Sequence, residues 1–348
     1  MNKRLRGILQ AAEREGLTVR GDSAGGSFDG CAVTVGATHE ENSGETVSVR
    51  GLLRPALDLG LQLGKHRGSL FGGVVVTGNT DIDGELTVTS DEPARGRVLF
   101  DGGLADALAA LYRASFELRL DDASCSIYHY VGFDLPEAGW LRGALEGVSR
   151  AVHLMEAARS TLPVAGPLTA YEPVFRRLST DHELALMTSP LVLWSRTGAD
   201  SRGELGTSIE LAAQRTRTRR FRLHACARLE TSLAVGLTLH RRGLADELRS
   251  AFSEDVRLGD RPFDRRFRIT AGRVDRLAAI LDAEVRAALQ ALDEQFGRVT
   301  LDDEKLSLEA ELADVPPSEL PHLLHLVADA ARRLARNVVH GGEESPYR

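Results

Sequence analysis

Two long stretches of the chain recur further along the sequence at a nearly constant distance. Residues 17–67 match residues 193–243 at an offset of 176, and "ALDLGLQL" returns there as "SLAVGLTL". From residue 78 to 129 the offset becomes 181, so that "GNTDIDGELTVT" returns as "GDRPFDRRFRIT". Solenoid repeats are only about 20 to 50 residues long. The repeated unit is therefore predicted to be a whole domain, copied in tandem. Chance similarity in a chain rich in Leu, Ala and Arg is the alternative.

Each copy begins with segments in which apolar and polar residues alternate. "LTVRG", "CAVTVG" and "ETVSVRG" are separated by "DSAGGSFDG" and "ATHEENSG", which are rich in turn-forming residues. This pattern predicts consecutive antiparallel strands joined by hairpin loops. A helical period follows in "VDRLAAILDAEVRAALQAL", which predicts one amphipathic helix with a buried stripe from Leu277 to Leu292.

The last part of each copy returns to strands and then to a helix. "GRVTLDDEKLSLEAEL" predicts a β-hairpin that turns at Asp302-Asp303, and copy one has the same "LDD" at 120–122. The buried side of the final helix is predicted to consist of Leu320, Leu323, Leu324, Val327, Ala330, Ala331 and Leu334. We therefore expect an α+β protein, a tandem duplication of an antiparallel-sheet domain in which each copy has strands, then a helix, a β-hairpin and a helix.

A Pro-rich stretch lies between the two copies. "TLPVAGPLTAYEP" contains Pro163, Pro167 and Pro173, and proline interrupts regular structure. The predicted boundaries are a first copy at 1–160, a linker at 161–176, a second copy at 177–340 and a flexible tail at 341–348.

The overall charge and the cysteine pattern restrict the partners and the compartment. The formal net charge is -7 with a pI near 5.9, which gives no reason to expect nucleic acid or an anionic membrane as a partner. No apolar run reaches the length of about 18 residues that a membrane span needs. Cys31, Cys125 and Cys226 fit neither a disulfide framework nor a CxxC metal site. We expect a cytoplasmic protein with no membrane segment, no metal and no cofactor.

The motifs that resemble catalytic or ligand sites each have a plainer interpretation. The Gly-rich "GDSAGGSFDG" precedes a strand, whereas a phosphate cradle must open a helix, so we interpret it as a hairpin loop. The pairs at 121–122 and 302–303 resemble a metal site, but Asp also favours hairpin turns. His322, His325 and Asp329 share a helical face that we interpret as solvated rather than metal-binding. Enzymatic activity is therefore uncertain, and its absence is favoured.

One contrast between the copies points to a binding surface. Copy two has "RTRTRRFR" at 215–222, where copy one has "HEENSGET" at 39–46. The candidate basic residues are Arg215, Arg217, Arg219, Arg220 and Arg222, together with Arg241 and Arg242, and the acidic counterparts are Glu40, Glu41 and Glu45. Charges that protect an edge strand from aggregation are the plainer explanation. The functional one is a surface for an acidic protein segment, for the acidic turn of a second copy, or less favourably for a phosphate-bearing ligand or nucleic acid.

These features favour a non-catalytic protein that binds another macromolecule or assembles with itself. Two similar domains mimic a homodimer while leaving each half free to acquire a different surface. The alternative is an enzyme or small-ligand binder with its site in a cleft between the two copies.

Overall fold

The structure, a computed structural model, describes residues 3–40, 44–65, 72–131, 138–195, 207–216, 220–229, 231–243 and 255–340. The chain divides into two compact units. Unit 1 contains Met1–Ala165 and Thr188–Pro190, and unit 2 contains Gly166–Met187 and Leu191–Arg348. Both units consist of an antiparallel sheet and α-helices, and the two sheets are similar in size. The α+β class is therefore confirmed.

Unit 1 is built around a nine-stranded sheet. Its elements in chain order are α1 (Lys3–Arg14), β1 (Thr18–Arg20), β2 (Ser23–Phe28), β3 (Cys31–Glu40), β4 (Gly44–Leu52), β5 (Gln62–Lys65), β6 (Gly73–Val75), α2 (Thr80–Glu85), β7 (Leu86–Ser90), α3 (Pro93–Val98), α4 (Leu104–Arg113), β8 (Glu117–Asp121), β9 (Ser124–Val131) and α5 (Ala138–Arg159). The strand order is β1-β2-β3-β4-β9-β8-β5-β7-β6. The residues that alternate along the strands, such as Val33, Val35, Val47 and Val49, are buried in a core that also contains Leu145 of α5.

Unit 2 is built around an eight-stranded sheet. Its elements are α6 (Glu172–Asp181), β10 (Ala185–Thr188), β11 (Leu191–Trp194), β12 (Ser208–Arg215), β13 (Phe221–Arg228), β14 (Thr238–Arg241), α7 (Arg261–Arg266), β15 (Phe267–Thr270), α8 (Leu277–Ile280), α9 (Ala283–Gln295), β16 (Arg298–Asp302), β17 (Lys305–Glu311) and α10 (Leu320–His340). The strand order is β10-β11-β12-β13-β17-β16-β14-β15. All seven residues predicted for the apolar side of the final helix are buried in α10.

The two sheets have the same strand order over eight positions, with β6 as an additional edge strand in unit 1. Their registers also correspond at the offsets of the sequence repeat. Val35 pairs with Val49 between β3 and β4, and Leu211 pairs with Ala225 between β12 and β13. The residue pairs that join β4 to β9, β8 to β9 and β5 to β7 also have equivalents at these offsets in unit 2. Those equivalents join β13 to β17, β16 to β17 and β14 to β15.

The beginning of the sequence match is wrong by seven residues. Ala24 of β2 pairs with Val35, and Leu193 of β11 pairs with Leu211. Leu193 therefore occupies the position of Ala24, at an offset of 169 rather than 176. The match of Leu17 with Leu193, where the two ranges begin, rests on residue identity alone. The register of β2 and β11 depends instead on which of their backbone groups pair with the neighbouring strand.

Two expectations about individual elements are also wrong. The helix predicted from Leu277 to Leu292 is broken, because α8 ends at Ile280 and Asp282 caps α9 by accepting a hydrogen bond from Val285 N at 2.8 Å. An N-cap carboxylate satisfies the free amides that begin a new helix. The Gly-rich segment predicted as a loop instead contributes β2, and positive φ angles occur only outside this strand, at Gly21 (62°), Asp29 (48°) and Gly30 (75°).

The stretch predicted as a linker contains ordered structure. A 3-10 turn covers Gly166–Leu168, and α6 begins at Glu172 with a proline in its first turn. Leu168 and Tyr171 are buried, and the Tyr171 hydroxyl donates to the carbonyls of Leu312 and Val315 at 2.8 and 3.0 Å. Proline is compatible with the first turn of a helix, so a Pro-rich composition does not require an unstructured connection here.

Candidate functional site

The Arg-rich segment lies at the turn between β12 and β13. Arg215 pairs with Phe221 across the two strands, and Thr216 N donates to Arg220 O at 2.7 Å. Neither strand is at the edge of the sheet, because β11 flanks β12 and β17 flanks β13. The pairing of β12 with β11 ends at Ala213, and that of β13 with β17 ends at Arg222, so at Arg215 and Phe221 the two strands pair only with each other. Protection of these strand ends therefore stays an alternative explanation of the charges.

The arginines of this turn, which we call the basic hairpin (Arg215 to Arg222), differ in their surroundings. The Arg215 guanidinium lies 4.9 Å from the centroid of the Phe221 ring, a cation–π distance. Arg222 Nε donates to Glu311 Oε1 at 3.0 Å, and both side chains are well exposed. Arg220 is exposed. Arg217 and Arg219 lie outside the described residues.

Arg241 and Arg242 lie apart from the basic hairpin. Arg241 is the last residue of β14, and Arg242 follows it. β14 is separated from β13 by β17 and β16, so at about 4.8 Å per strand the distance across the sheet is about 14 Å. Arg241 Nε is 3.8 Å from Asp293 Oδ2, whereas Arg242 forms an ion pair with Asp255 and donates to Asp264 O at 2.9 Å. These contacts hold both side chains against their own part of unit 2.

The predicted acidic counterparts lie at the corresponding turn of unit 1. Glu40 ends β3 and pairs with Gly44, and Glu45 of β4 pairs with His39. The side chains of Glu40 and Glu45, and Glu41 as a whole, lie outside the described residues. Because Glu40 and Gly44 correspond to Thr216 and Arg220 at the offset of 176, the two turns have equal length and equivalent positions. We call residues 39–46 the acidic turn.

A cleft of about 290 Å³, which the sequence did not reveal, lies beside the basic hairpin. It is lined by Arg222, Phe296, Gly297, Arg298, Glu309, Ala310, Glu311 and Asp314. Gly297 has a φ of 149°, and a Cβ atom there would lie 2.5 Å from Glu309 O. Only glycine fits this close approach of α9 to β17. The cleft thus combines an aromatic ring with charges of both signs.

The paired aspartates have a structural role in both units. Asp122 Oδ2 and Oδ1 accept hydrogen bonds from Gly60 N and Leu61 N at 2.8 and 3.0 Å. Asp303 accepts corresponding bonds from Gly236 N and Leu237 N, both at 2.8 Å. The hairpin interpretation is therefore correct, with the addition that the second aspartate also fixes a distant loop.

The histidines of α10 contact different neighbours. The ring of His325 lies 5.2 Å from that of His182, and the ring of His322 lies 6.0 Å from that of Phe296. Asp329 instead accepts a hydrogen bond from Arg333 Nε at 2.8 Å. Within the described ranges, no group of three or more His, Cys, Asp or Glu residues is arranged to hold a metal ion.

Cys226 is the one partly exposed cysteine, on the sheet face that also bears His224. Burial raises the pKa of the Cys226 thiol above its usual value, although the Ser307 hydroxyl donates to its sulfur at 3.7 Å. A thiol with a raised pKa carries little thiolate near neutral pH, so this cysteine is not an activated nucleophile.

Comparisons with known proteins place few constraints on this chain. No protein-family model and no curated protein matches the sequence. Among solved structures, the chain is similar to the crystal structure of the mycobacterial trehalose monomycolate transport factor A, TtfA, with a TM-score of 0.34 and 12% identity over 47% of this chain and 98% of that chain. No helix in the described part of the chain is long and apolar enough to cross a membrane. Function is therefore inferred from the residues of the chain itself.

Proposed function

We propose that the protein is a non-catalytic, cytoplasmic binding protein made by tandem duplication of one α+β domain, and that its basic hairpin holds an acidic segment of a protein partner. The equal strand order of the two sheets supports the duplication. The corresponding registers support it independently, because a single residue of slip in any strand pair would have broken the correspondence.

The observation that carries the binding proposal is the position of the arginines. Five of them occur within eight residues of the sequence, and the described members Arg215, Arg220 and Arg222 lie where β12 ends and β13 begins. The equivalent turn of unit 1 has the same length and is acidic. Several guanidinium groups at one turn repel one another, and an acidic partner relieves that repulsion by forming charge-assisted hydrogen bonds.

The partner is either another protein or a second copy of this chain. Arg222 is already paired with Glu311, so an anion at the basic hairpin competes with a carboxylate of unit 2 for that guanidinium. Arg220 and Arg222 are the exposed members of the described set, and because Arg222 is already bonded to Glu311, Arg220 is the residue of choice for a test.

The proposal is tested by titrating the protein into a labelled oligoglutamate peptide and following fluorescence anisotropy. Affinity should fall when salt is raised from about 0.01 M to about 0.15 M, because the Debye length shrinks from about 30 Å to about 8 Å. Arg220→Glu should weaken binding roughly tenfold, as expected for a charge that changes from attractive to repulsive. The matched control is Arg265→Glu, at an exposed position on α7, which should bind like the wild type.

Two results would contradict the proposal. One is an affinity that neither salt nor Arg220→Glu changes. The other is tighter binding of a single-stranded oligonucleotide than of the peptide, which would replace the protein partner by nucleic acid. The basic hairpin contains a single aromatic residue, Phe221, and so offers little for bases to stack on.

A further inference from the structure

Three of the charged side chains that line the cleft of unit 2 have no partner. Arg222 and Glu311, which also line it, bond each other at 3.0 Å. Within the described ranges, by contrast, the exposed side chains of Arg298, Glu309 and Asp314 form no hydrogen bond or ion pair. The cleft therefore offers a ligand one guanidinium group and two carboxylates.

The fold places these charges next to one another and next to an aromatic residue. Arg298 of β16 lies directly opposite Glu309 of β17, and the Cβ atoms of such a pair are about 5 Å apart. Asp314 ends the 3-10 turn Leu312–Asp314, which follows β17. Phe296, at the end of α9, supplies the aromatic part of the lining. A cation, a carboxylate and an aromatic residue thus meet in one small cleft.

The corresponding place in unit 1 carries aromatic rings. At the offset of 181, Phe116 stands where unit 2 has Gly297, and Tyr130 stands where it has Glu311. The centroids of the Phe116 and Tyr130 rings are 4.7 Å apart. Unit 2 has no side chain at Gly297, so the place that rings occupy in unit 1 is open in unit 2.

The charges of the cleft are specific to unit 2 as well. At the same offset, unit 1 has Glu117 where unit 2 has Arg298, and Tyr128 where it has Glu309. Glu117 pairs with Tyr128 in the register in which Arg298 pairs with Glu309. The strands therefore pair in the same way without these charges, so sheet formation does not require Arg298 and Glu309.

We propose that the cleft binds a free α-amino acid with a large apolar side chain. Arg298 donates to the carboxylate of the ligand, and Glu309 accepts from its ammonium group. The charge of Asp314 adds to the attraction of the ammonium group, and the side chain of the ligand packs against Phe296. An amino acid carries both charges on one carbon atom, which matches a cation and a carboxylate at directly opposite strand positions.

The size and the charges of the cleft favour an amino acid over other ligands. Small-molecule pockets are about 300 to 1,000 Å³, so a cleft of about 290 Å³ suits a ligand of this size rather than a nucleotide. An anion without a positive group would be repelled by Glu309 and Asp314, and a cation without a carboxylate would be repelled by Arg298. A zwitterion satisfies all three. None of the arginines of the basic hairpin is a ligand in this site, so the inference is separate from the proposed function.

The experiment is isothermal titration calorimetry of the full chain with L-phenylalanine at about pH 6, where α-amino groups are protonated. The wild type should bind L-phenylalanine at least tenfold more tightly than L-phenylalaninamide, which lacks the carboxylate. The same difference should separate L-phenylalanine from N-acetyl-L-phenylalanine, which lacks the ammonium group. Each derivative loses a hydrogen bond between charged groups, and such a bond is worth about tenfold or more in affinity. Glycine, which has no side chain to pack against Phe296, should also bind more weakly.

Two variants assign the two charges. Arg298→Gln should bind L-phenylalanine at least tenfold more weakly than the wild type and should no longer prefer it to the amide. Glu309→Gln should instead lose the preference for L-phenylalanine over the N-acetyl derivative. The matched controls are Arg228→Gln and Glu210→Gln, at exposed positions of the same sheet that do not line the cleft. Both controls should bind L-phenylalanine like the wild type.

Three results would overturn the inference: no measurable binding of L-phenylalanine to the wild type, equal affinity of the wild type for L-phenylalanine and its amide, or binding by Arg298→Gln that equals that of the wild type. The two variants also control for each other's folding, because each should keep the preference that the other loses. Loss of both preferences in both variants would likewise contradict the assignment of one charge to each residue.

Discussion

Asp122 and Asp303 provide a test of how the two units are stabilised. Each carboxylate accepts two backbone N–H groups of a loop more than 60 residues away in sequence, at Gly60-Leu61 and Gly236-Leu237. Gly60 and Gly236 have φ angles of 62° and 67°, so the two loops share a left-handed glycine. Replacing either aspartate by alanine leaves two amides without their partners.

The expected loss follows from the number and kind of these bonds. A hydrogen bond to a charged group contributes about 1.5 to 3 kcal/mol. Both aspartates are partly exposed, so the lower end applies, and two bonds give about 3 kcal/mol for either variant. Asp121→Ala is the control, because exposed Asp121 accepts only local bonds from Ala123 N and the Ser124 hydroxyl and should cost about 1 kcal/mol.

The two tryptophans of the chain allow each unit to be followed separately. Trp140 lies in α5 of unit 1 and Trp194 in β11 of unit 2. Urea unfolding is monitored by fluorescence in a Trp194→Phe background for Asp122→Ala, and in a Trp140→Phe background for Asp303→Ala. With an m-value of about 2 kcal/mol per molar urea, the midpoint should fall by about 1.5 M.

The reasoning would be refuted if Asp122→Ala and Asp121→Ala lowered the midpoint equally. It would also be refuted if Asp122→Ala shifted the Trp140 transition by less than about 0.3 M, since the measured contribution would then be well below that of even one charged hydrogen bond.

Three further predictions concern buried groups. Arg95→Met should cost unit 1 about 3 to 5 kcal/mol in urea unfolding, because Arg95 and Asp58 form a buried ion pair at 2.6 Å; Arg276→Met, at the partly exposed equivalent position, should cost far less. With a thiol reagent near neutral pH, partly exposed Cys226 should react before buried Cys125, and equal rates would contradict the burial. Burial raises the pKa of the Cys125 thiol from 9.0 to about 12. The protonated thiol therefore stabilises the folded state fully below pH 9, and this stabilisation is lost as the pH rises from 9 to 12. In urea unfolding, the free energy of unfolding of Cys125→Ala should fall less over this pH range than that of the wild type.

The strands and the final helix were predictable because burial there follows a regular period. β3 buries alternate residues from Cys31 to Val35, and α10 buries its whole predicted stripe. Such patterns need no knowledge of which strands are neighbours. The sequence repeat likewise located corresponding strand pairs over most of both sheets, since a one-residue slip of register would move every side chain to the other face.

Other elements lacked such a signal. β2 contains Gly25 and Gly26, and its backbone pairs with β3 although its composition resembles a loop. The apolar stripe from Leu277 to Leu292 continues across the break between α8 and α9, so it predicts a single helix. The break depends instead on Asp282, which caps the beginning of α9. A strand can be held by backbone hydrogen bonds from its neighbours, so composition alone underestimates it.

The candidate site was only half visible in the sequence. The charge contrast between residues 39–46 and residues 215–222 is visible once the two repeated stretches of sequence are aligned. The cleft required the fold, because its lining comes from β13, from the end of α9 and from β16 and β17, which meet only when the sheet forms.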